Sequence, residues 1–167
     1  MITLGIDPGI ATTGFGIIQE EQDGSLLVLN FGVIHTTSDR SQAERLVQLY
    51  KRIKELILLH RPEMGAVEKL FFERNVRTAI SVGQARGVAL LAMAELNLQI
   101  GEYTPLEVKQ AVSGYGGADK NQVQQMVMMI LGLETIPHPD DAADALAVAI
   151  CHIHSSKIRN MYRENNE

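Results

Sequence analysis

The chain has 167 residues, 46% of them hydrophobic, which suits one globular domain and excludes a disordered chain. Its one cysteine, Cys151, rules out an internal disulfide, and its net charge of -5 argues against wholesale binding of a polyanion. No apolar run is long enough to span a bilayer and no basic region leads into a cleavable apolar stretch, so a cytoplasmic protein with a reduced core thiol and no membrane partner is expected.

In chain order, Ile2–Asp7 is a short apolar run stopped by Pro8-Gly9, the pattern of a buried strand and turn. Thr13–Gln19 and Leu26–Thr36 form two more strands around the polar turn Glu21-Gln22-Asp23-Gly24. Residues 41–60 carry Leu46, Leu49, Tyr50, Ile53, Leu56 and Ile57 at the three-four spacing of an amphipathic helix, which Pro62 ends. Met64–Glu68 is a fourth strand. Arg77–Leu96 is a helix rich in Ala and Gly, able to approach another backbone closely within the monomer or in a partner copy. Leu98–Tyr103 is a fifth strand. Thr104, Pro105 and Glu107 spell a helix start with a capping box, and Gly114–Gly117 breaks that helix. Lys120–Leu131 is helical, and a last helix opens at Pro139 and runs to about Ile158. The expected organisation is one domain over 1–158 with a polar tail over 159–167. Short turns make the first three strands an antiparallel meander, and helical crossovers add the later two in parallel, giving a mixed five-stranded sheet flanked by helices.

Four carboxylates stand beside apolar surface in this pattern. Asp7 and Glu68 each end a strand, and neighbouring parallel strands would bring them to one rim, where α/β sheets build their sites. Asp141 and Asp144 share a face of the last helix. Taken singly, Asp141 suits the positive end of a helix, Asp7 suits a turn, Glu68 could pair with an arginine and Asp144 could face solvent. Jointly they point to a bound Mg²⁺ site, since one divalent ion compensates several charges that burial would otherwise penalise. Phosphodiester hydrolysis with two ions is the best-known use of such a cluster. No phosphate-binding loop is present, and His152 and His154 lie two apart without a cysteine pair, so zinc is disfavoured.

Charge is uneven along the chain. Residues 69–120 carry six basic and five acidic side chains, while the flanking segments are acidic. Phe71 and Phe72 stand among Lys69, Arg74 and Arg77, a composition suited to stacking on bases within a basic loop, although one ring could equally fill the core.

Five ordered segments carry a specific likeness: Gly5–Gly9 with Thr13–Gly16, Ala66–Phe71, Gln84–Ala89, Val108–Gln110 and Asp141–Ala147. Over about residues 2 to 155 the chain resembles the RuvC family of bacterial Holliday junction resolvases. The resemblance implies a ribonuclease H-like fold and a homodimer. It implies Mg²⁺-dependent cleavage of four-way junction DNA in recombination and repair, by symmetric nicks in two strands of like polarity that leave 5′-phosphate and 3′-hydroxyl ends. It implies two Mg²⁺ ions per site, with Mn²⁺ able to substitute, held by Asp7, Glu68, Asp141 and Asp144. It further implies a wedge at Phe71, DNA contacts at Lys109 and Lys120, and partnership with the RuvA–RuvB branch-migration complex. Phe72 beside Phe71 and Asp140 beside Asp141 are extra residues of the same types whose roles this likeness leaves open.

Three other readings compete. An actin- or sugar-kinase-like ATPase also opens with Asp-x-Gly, but it closes two related domains around nucleotide, and this chain has no internal repeat. A non-catalytic junction-binding module would not need four acids. A related RNA-processing nuclease is disfavoured by the Glu68–Phe71 and Gln84–Gly87 segments.

Overall fold

The structure, a computed structural model, describes residues 1–69 and 76–164, with side chains through 69 and from 78 to 157. Five strands form one sheet: β1 (Ile2–Asp7), β2 (Thr12–Glu20), β3 (Leu26–His35), β4 (Met64–Glu68) and β5 (Gln99–Tyr103). The helices are α1 (Gln42–His60), α2 (Val76–Glu95), α3 (Pro105–Ser113), α4 (Lys120–Ile130) and α5 (Asp140–Glu164). The sheet order is β3-β2-β1-β4-β5, antiparallel across β3-β2-β1 and parallel across β1-β4-β5. The mixed five-stranded sheet expected from the sequence is thus present, and its architecture is ribonuclease H-like.

Local chemistry sets the element ends. Ser41, Thr104 and Asp119 each cap a helix through a full capping box, with Glu44, Glu107 and Gln122 as the reciprocal partners. Gly114 ends α3 in the left-handed conformation, which a residue without Cβ adopts freely. One boundary differs from expectation: α5 runs on to Glu164 instead of stopping near Ile158. No Gly or Pro follows Ile158 to halt it, and polar helix formers extend a helix as readily as apolar ones.

The sheet divides the interior. On one face Leu4, Ile6, Phe15, Ile17 and Val67 pack against Leu49, Ile53 and Ile57 of α1 and against Ala85, Ala89 and Met93 of α2. On the other, Ile18, Ala66 and Tyr103 pack against α3, α4 and α5. Cys151 is buried there, as expected of a core thiol. Strand alternation then fixes where the acids go, because Asp7 and Glu68 share a face with Gly5 and Ala66.

That second face is lined with glycine where α5 crosses it. A Cβ on Gly14 would strike the Asp141 carbonyl oxygen, one on Gly16 would sit 2.7 Å from Leu146 Cδ2, and one on Gly5 would sit 2.8 Å from the Ala149 nitrogen. Helix and strand backbones therefore meet almost directly. Farther along, Gly101 of β5 leaves room for His152, whose Nδ1 lies 2.9 Å from the Tyr103 hydroxyl.

Candidate active site

Asp7 is the last residue of β1, and its partner on β2 is Gly14, the glycine over which the first turn of α5 is laid. Glu68 ends β4, whose Val67 is in register with Ile6 of β1. The two carboxylates therefore leave neighbouring strand ends, about 5 Å apart along the sheet. Asp141 and Asp144 descend onto the same rim from α5. The fold brings together all four acids that the sequence singled out.

Their electrostatics follow from that crowding. Asp7 is pushed up to about 7, first by burial and then by repulsion from Asp144, Glu68 and Asp141. Glu68 is raised by burial and by Asp144, with Lys109 opposing. Asp144 is raised by burial even though Lys120 Nζ bonds its Oδ2 at 3.0 Å, so desolvation outweighs the ion pair. Lys120 also reaches Asp140 Oδ2 at 3.2 Å. Burial opposes the Lys120 charge, but the bonds to Asp144 and Asp140 prevail and hold its pKa above the usual ammonium range. Asp140 behaves differently from its neighbours. Gln124 donates to its Oδ1 at 3.1 Å, and that bond together with Lys120 keeps its pKa low.

An all-oxygen donor set on an apolar floor suits a hard divalent cation. Asp144, Glu68 and Asp141 act on Asp7 through space. Yet among the described residues no three carboxylate or imidazole side chains close far enough to grip one ion as they stand. Lys120 supplies a compensating positive charge by pairing with Asp144. The residues fit the ion in donor chemistry, since hard carboxylate oxygens come to one rim from β1, β4 and α5.

A pocket of about 190 Å³ opens beside the acids between α3, α4 and α5. Glu68, Lys109, Lys120 and Asp144 stand at it over a floor that includes Val108, Val123 and Val148. Lys109 and Lys120 thus reach the acid rim from different helices. A larger groove between α3 and the later part of α5, lined by Leu106, Ala111 and His154, contains none of the four acids.

Of the other sequence-derived candidates, Lys69 is exposed just past β4, with its backbone N–H bonded to the Tyr103 carbonyl at 2.6 Å. Phe71, Phe72 and Arg74 lie outside the described residues, and Arg77 lies in the first turn of α2 with its side chain outside them. His152 and His154 do not converge: His152 meets Tyr103, and His154 Nδ1 lies 3.0 Å from the Ala111 carbonyl.

Two residues at the site were not singled out from sequence. Gln124 braces Asp140; the matching four-residue spacings, Lys120 to Gln124 on α4 and Asp140 to Asp144 on α5, are the signal that could have flagged it. Arg86 of α2 donates from Nε to the Glu68 carbonyl at 3.2 Å and pairs through its guanidinium with Glu102 of β5. It stitches the strand end that carries Glu68, and only its place within a recognisable segment hinted at a role.

The chain matches the family model described as crossover junction endodeoxyribonuclease RuvC over residues 3–152. It is 56% identical over 156 residues to the crossover junction endodeoxyribonuclease RuvC of Chloroflexus aurantiacus, covering 93% of this chain and 94% of that one. The structure resembles that of Thermus thermophilus RuvC, with a TM-score of 0.88 at 38% identity over 95% of this chain and 96% of that one. It also resembles T. thermophilus RuvC in complex with a Holliday junction substrate, with a TM-score of 0.86 at 35% identity over the same shares.

Proposed function

The chain belongs to the RuvC family of crossover junction endodeoxyribonucleases, and from that premise we propose that it resolves four-way DNA junctions by hydrolysis at the rim formed by Asp7, Glu68, Asp141 and Asp144. The observation that carries this reading is the convergence of four acids under α5, with Asp7 raised to about 7 by burial and by the other three. A site that strained is ready for a cation, and clustered perturbed carboxylates are a mark of function.

Asp7, Glu68, Asp141 and Asp144 would hold two Mg²⁺ ions per site, with Mn²⁺ able to substitute, and the bound ions would supply Lewis-acid chemistry for phosphodiester hydrolysis. The chain's own groups do the rest. Lys109 and Lys120 flank the pocket and take phosphate oxygens of the cleaved strand. Lys69, Arg74 and Arg77 contribute basic charge toward DNA, and Phe71 stacks in place of the bases lost at the crossover.

Paired nicks of like polarity, leaving 5′-phosphate and 3′-hydroxyl ends, require two copies of the site about a two-fold axis. The outer face of α2 suits the contact. Ile80, Gln84, Gly87, Leu91 and Ala94 are all exposed at alternating four- and three-residue spacing, and a Cβ on Gly87 would meet nothing within 4 Å. The remaining assignments are a nuclease domain over 1–158, a tail over 159–167, partnership with RuvA–RuvB, and action in the cytoplasm. Among the described residues no helix is long and apolar enough to cross a membrane.

The test is to incubate end-labelled four-way junctions and matched duplexes with the protein and Mg²⁺ and to map the cuts. Paired cuts at symmetric positions on junctions, with duplexes intact, are expected. Equal cutting of both substrates, or cutting without divalent ions, overturns the proposal.

A further inference from the structure

Asp140 is an acid near the rim that the proposed reaction does not use, and both of its carboxylate oxygens are engaged although the group is exposed. Its Oδ1 accepts from Gln124 and its Oδ2 pairs with Lys120, so α4 engages both carboxylate oxygens. The same Lys120 nitrogen bonds Asp144 at 3.0 Å. A position in the first turn of α5 explains why an acid is tolerated there, but it does not explain a carboxylate held at both oxygens by another helix. Lys120 therefore has two carboxylates to choose between: Asp144, one-third exposed and inside the proposed ion site, and Asp140, 57% exposed and outside it.

The reading that Asp144 binds a divalent ion makes Lys120 a competitor. An ammonium 3.0 Å from Asp144 Oδ2 must withdraw before a cation can take that oxygen. A lysine with no second partner would resist, because withdrawal would break its only ion pair.

We propose that Asp140, braced by Gln124, is a positioning residue that draws Lys120 off Asp144 and so sets how readily the rim takes up a divalent ion. The inference rests on the assignment of Asp144 as a metal ligand. It predicts that Asp140 acts through Lys120 and not simply through its own charge.

Those two routes separate in a double-mutant cycle. Mn²⁺ binding to the DNA-free protein is measured from the EPR signal of free Mn²⁺, for the unsubstituted protein, Asp140→Asn, Lys120→Ala and the double variant. All the altered side chains are exposed, and thermal melts check that each variant is folded. Loss of one screened surface charge alone weakens binding by about twofold. If Asp140 acts through Lys120, Asp140→Asn weakens Mn²⁺ binding by about fivefold in the unsubstituted background, but by only about twofold once Lys120 is absent. Lys120→Ala by itself tightens binding, and Asp140→Glu, which keeps a carboxylate for Lys120, restores much of the loss. Equal weakening in both backgrounds overturns the proposal and leaves the metal assignment standing. No Mn²⁺ bound by the unsubstituted protein, or binding unaffected by Asp144→Asn, overturns the metal assignment and the proposal with it.

Discussion

The two faces of the sheet are built by opposite means. Under α1 and α2 the strands present Leu4, Ile6, Phe15 and Ile17, and large side chains interlock with Leu49, Ile53, Ile57 and Met93. Under α5 the strands present Gly5, Gly14 and Gly16, and backbone rests on backbone with Ala145 and Ala149 between. A layer of flexible side chains can absorb a shift of a few tenths of an ångström. A glycine-lined contact cannot, and so it fixes the height and tilt of α5 over the rim. The acids occur on the face where the helix has least freedom, as a site requires when carboxylates on three separate elements must meet.

The sharpest way to break this contrast is to remove acids from the second face. Asp7→Asn or Asp144→Asn is expected to cut the junction-cleavage rate by on the order of a thousandfold or more while leaving junction binding intact, since amides are poor ligands for hard cations. Asp140→Asn, on the outer side of the same helix, should still cut within about fivefold of normal at saturating Mg²⁺. Single-turnover rates and gel-shift affinities on one labelled junction test all three, and near-normal cutting by Asp144→Asn would remove it from the site.

A second test uses the strain at Asp7. Its carboxyl is held at about 7 in the fold against an ordinary value of 3.8, so the folded state binds the extra proton. Stability contributed by that proton is full below about pH 4, falls as pH rises toward 7 and is gone above it. Without divalent ions the protein should therefore lose stability on the order of a few kcal/mol between pH 5 and pH 8. Asp7→Asn should flatten much of that slope, and Mg²⁺ at pH 8 should raise the melting temperature. Urea melts at the two pH values decide it; an unchanged slope in Asp7→Asn would mean that the acids are not mutually strained.

Glycines test the packing itself. Gly14→Ala drives a methyl group into the Asp141 carbonyl and should cost about 3 kcal/mol or more, with cleavage lost as α5 lifts. Arg86→Ala unpins the Glu68 carbonyl and leaves Glu102 unpaired, so a loss of about 1–3 kcal/mol is expected, partly recovered by Arg86→Lys. The smallest effect is Gly87→Ala on the open face of α2. In the monomer it should stabilise the helix by up to about 1 kcal/mol. A loss of dimer in sedimentation caused by that added methyl would place the two-fold contact at Gly87, and an unaffected dimer would place it elsewhere.

The strand ends at Asp7 and Glu68 could be read because each closes a short apolar run, at Asp7 before the turn Pro8-Gly9 and at Glu68 before the charged Lys69. The three-residue spacing of Asp141 and Asp144 is likewise a local mark. The capping boxes at Thr104 and Asp119 are local as well, since a cap is decided within four residues. The end of α5 was misjudged because polar residues look alike in a helix and in a tail, and only continued backbone hydrogen bonding separates the two. The opposed behaviour of Asp140 and Asp144 was not legible at all. Both are aspartates in an alanine-rich stretch, and what separates them is which one α4 holds with Gln124 and which one sits nearer the sheet.

By itself the sequence determined the order of strands and helices, the mixed sheet and the family, and it singled out four acids as candidates. Those properties reside in hydrophobic period, turn chemistry and ordered segments, which are written along the chain. The tertiary structure alone decided that Lys120 pairs with both Asp144 and Asp140, that Gln124 braces Asp140, that Arg86 ties down the end of β4, and that glycines let α5 descend to the rim. Each of these is a contact between residues far apart in sequence or on different elements. Its strength is set by distance and burial, and neither exists until the sheet has closed under the helix.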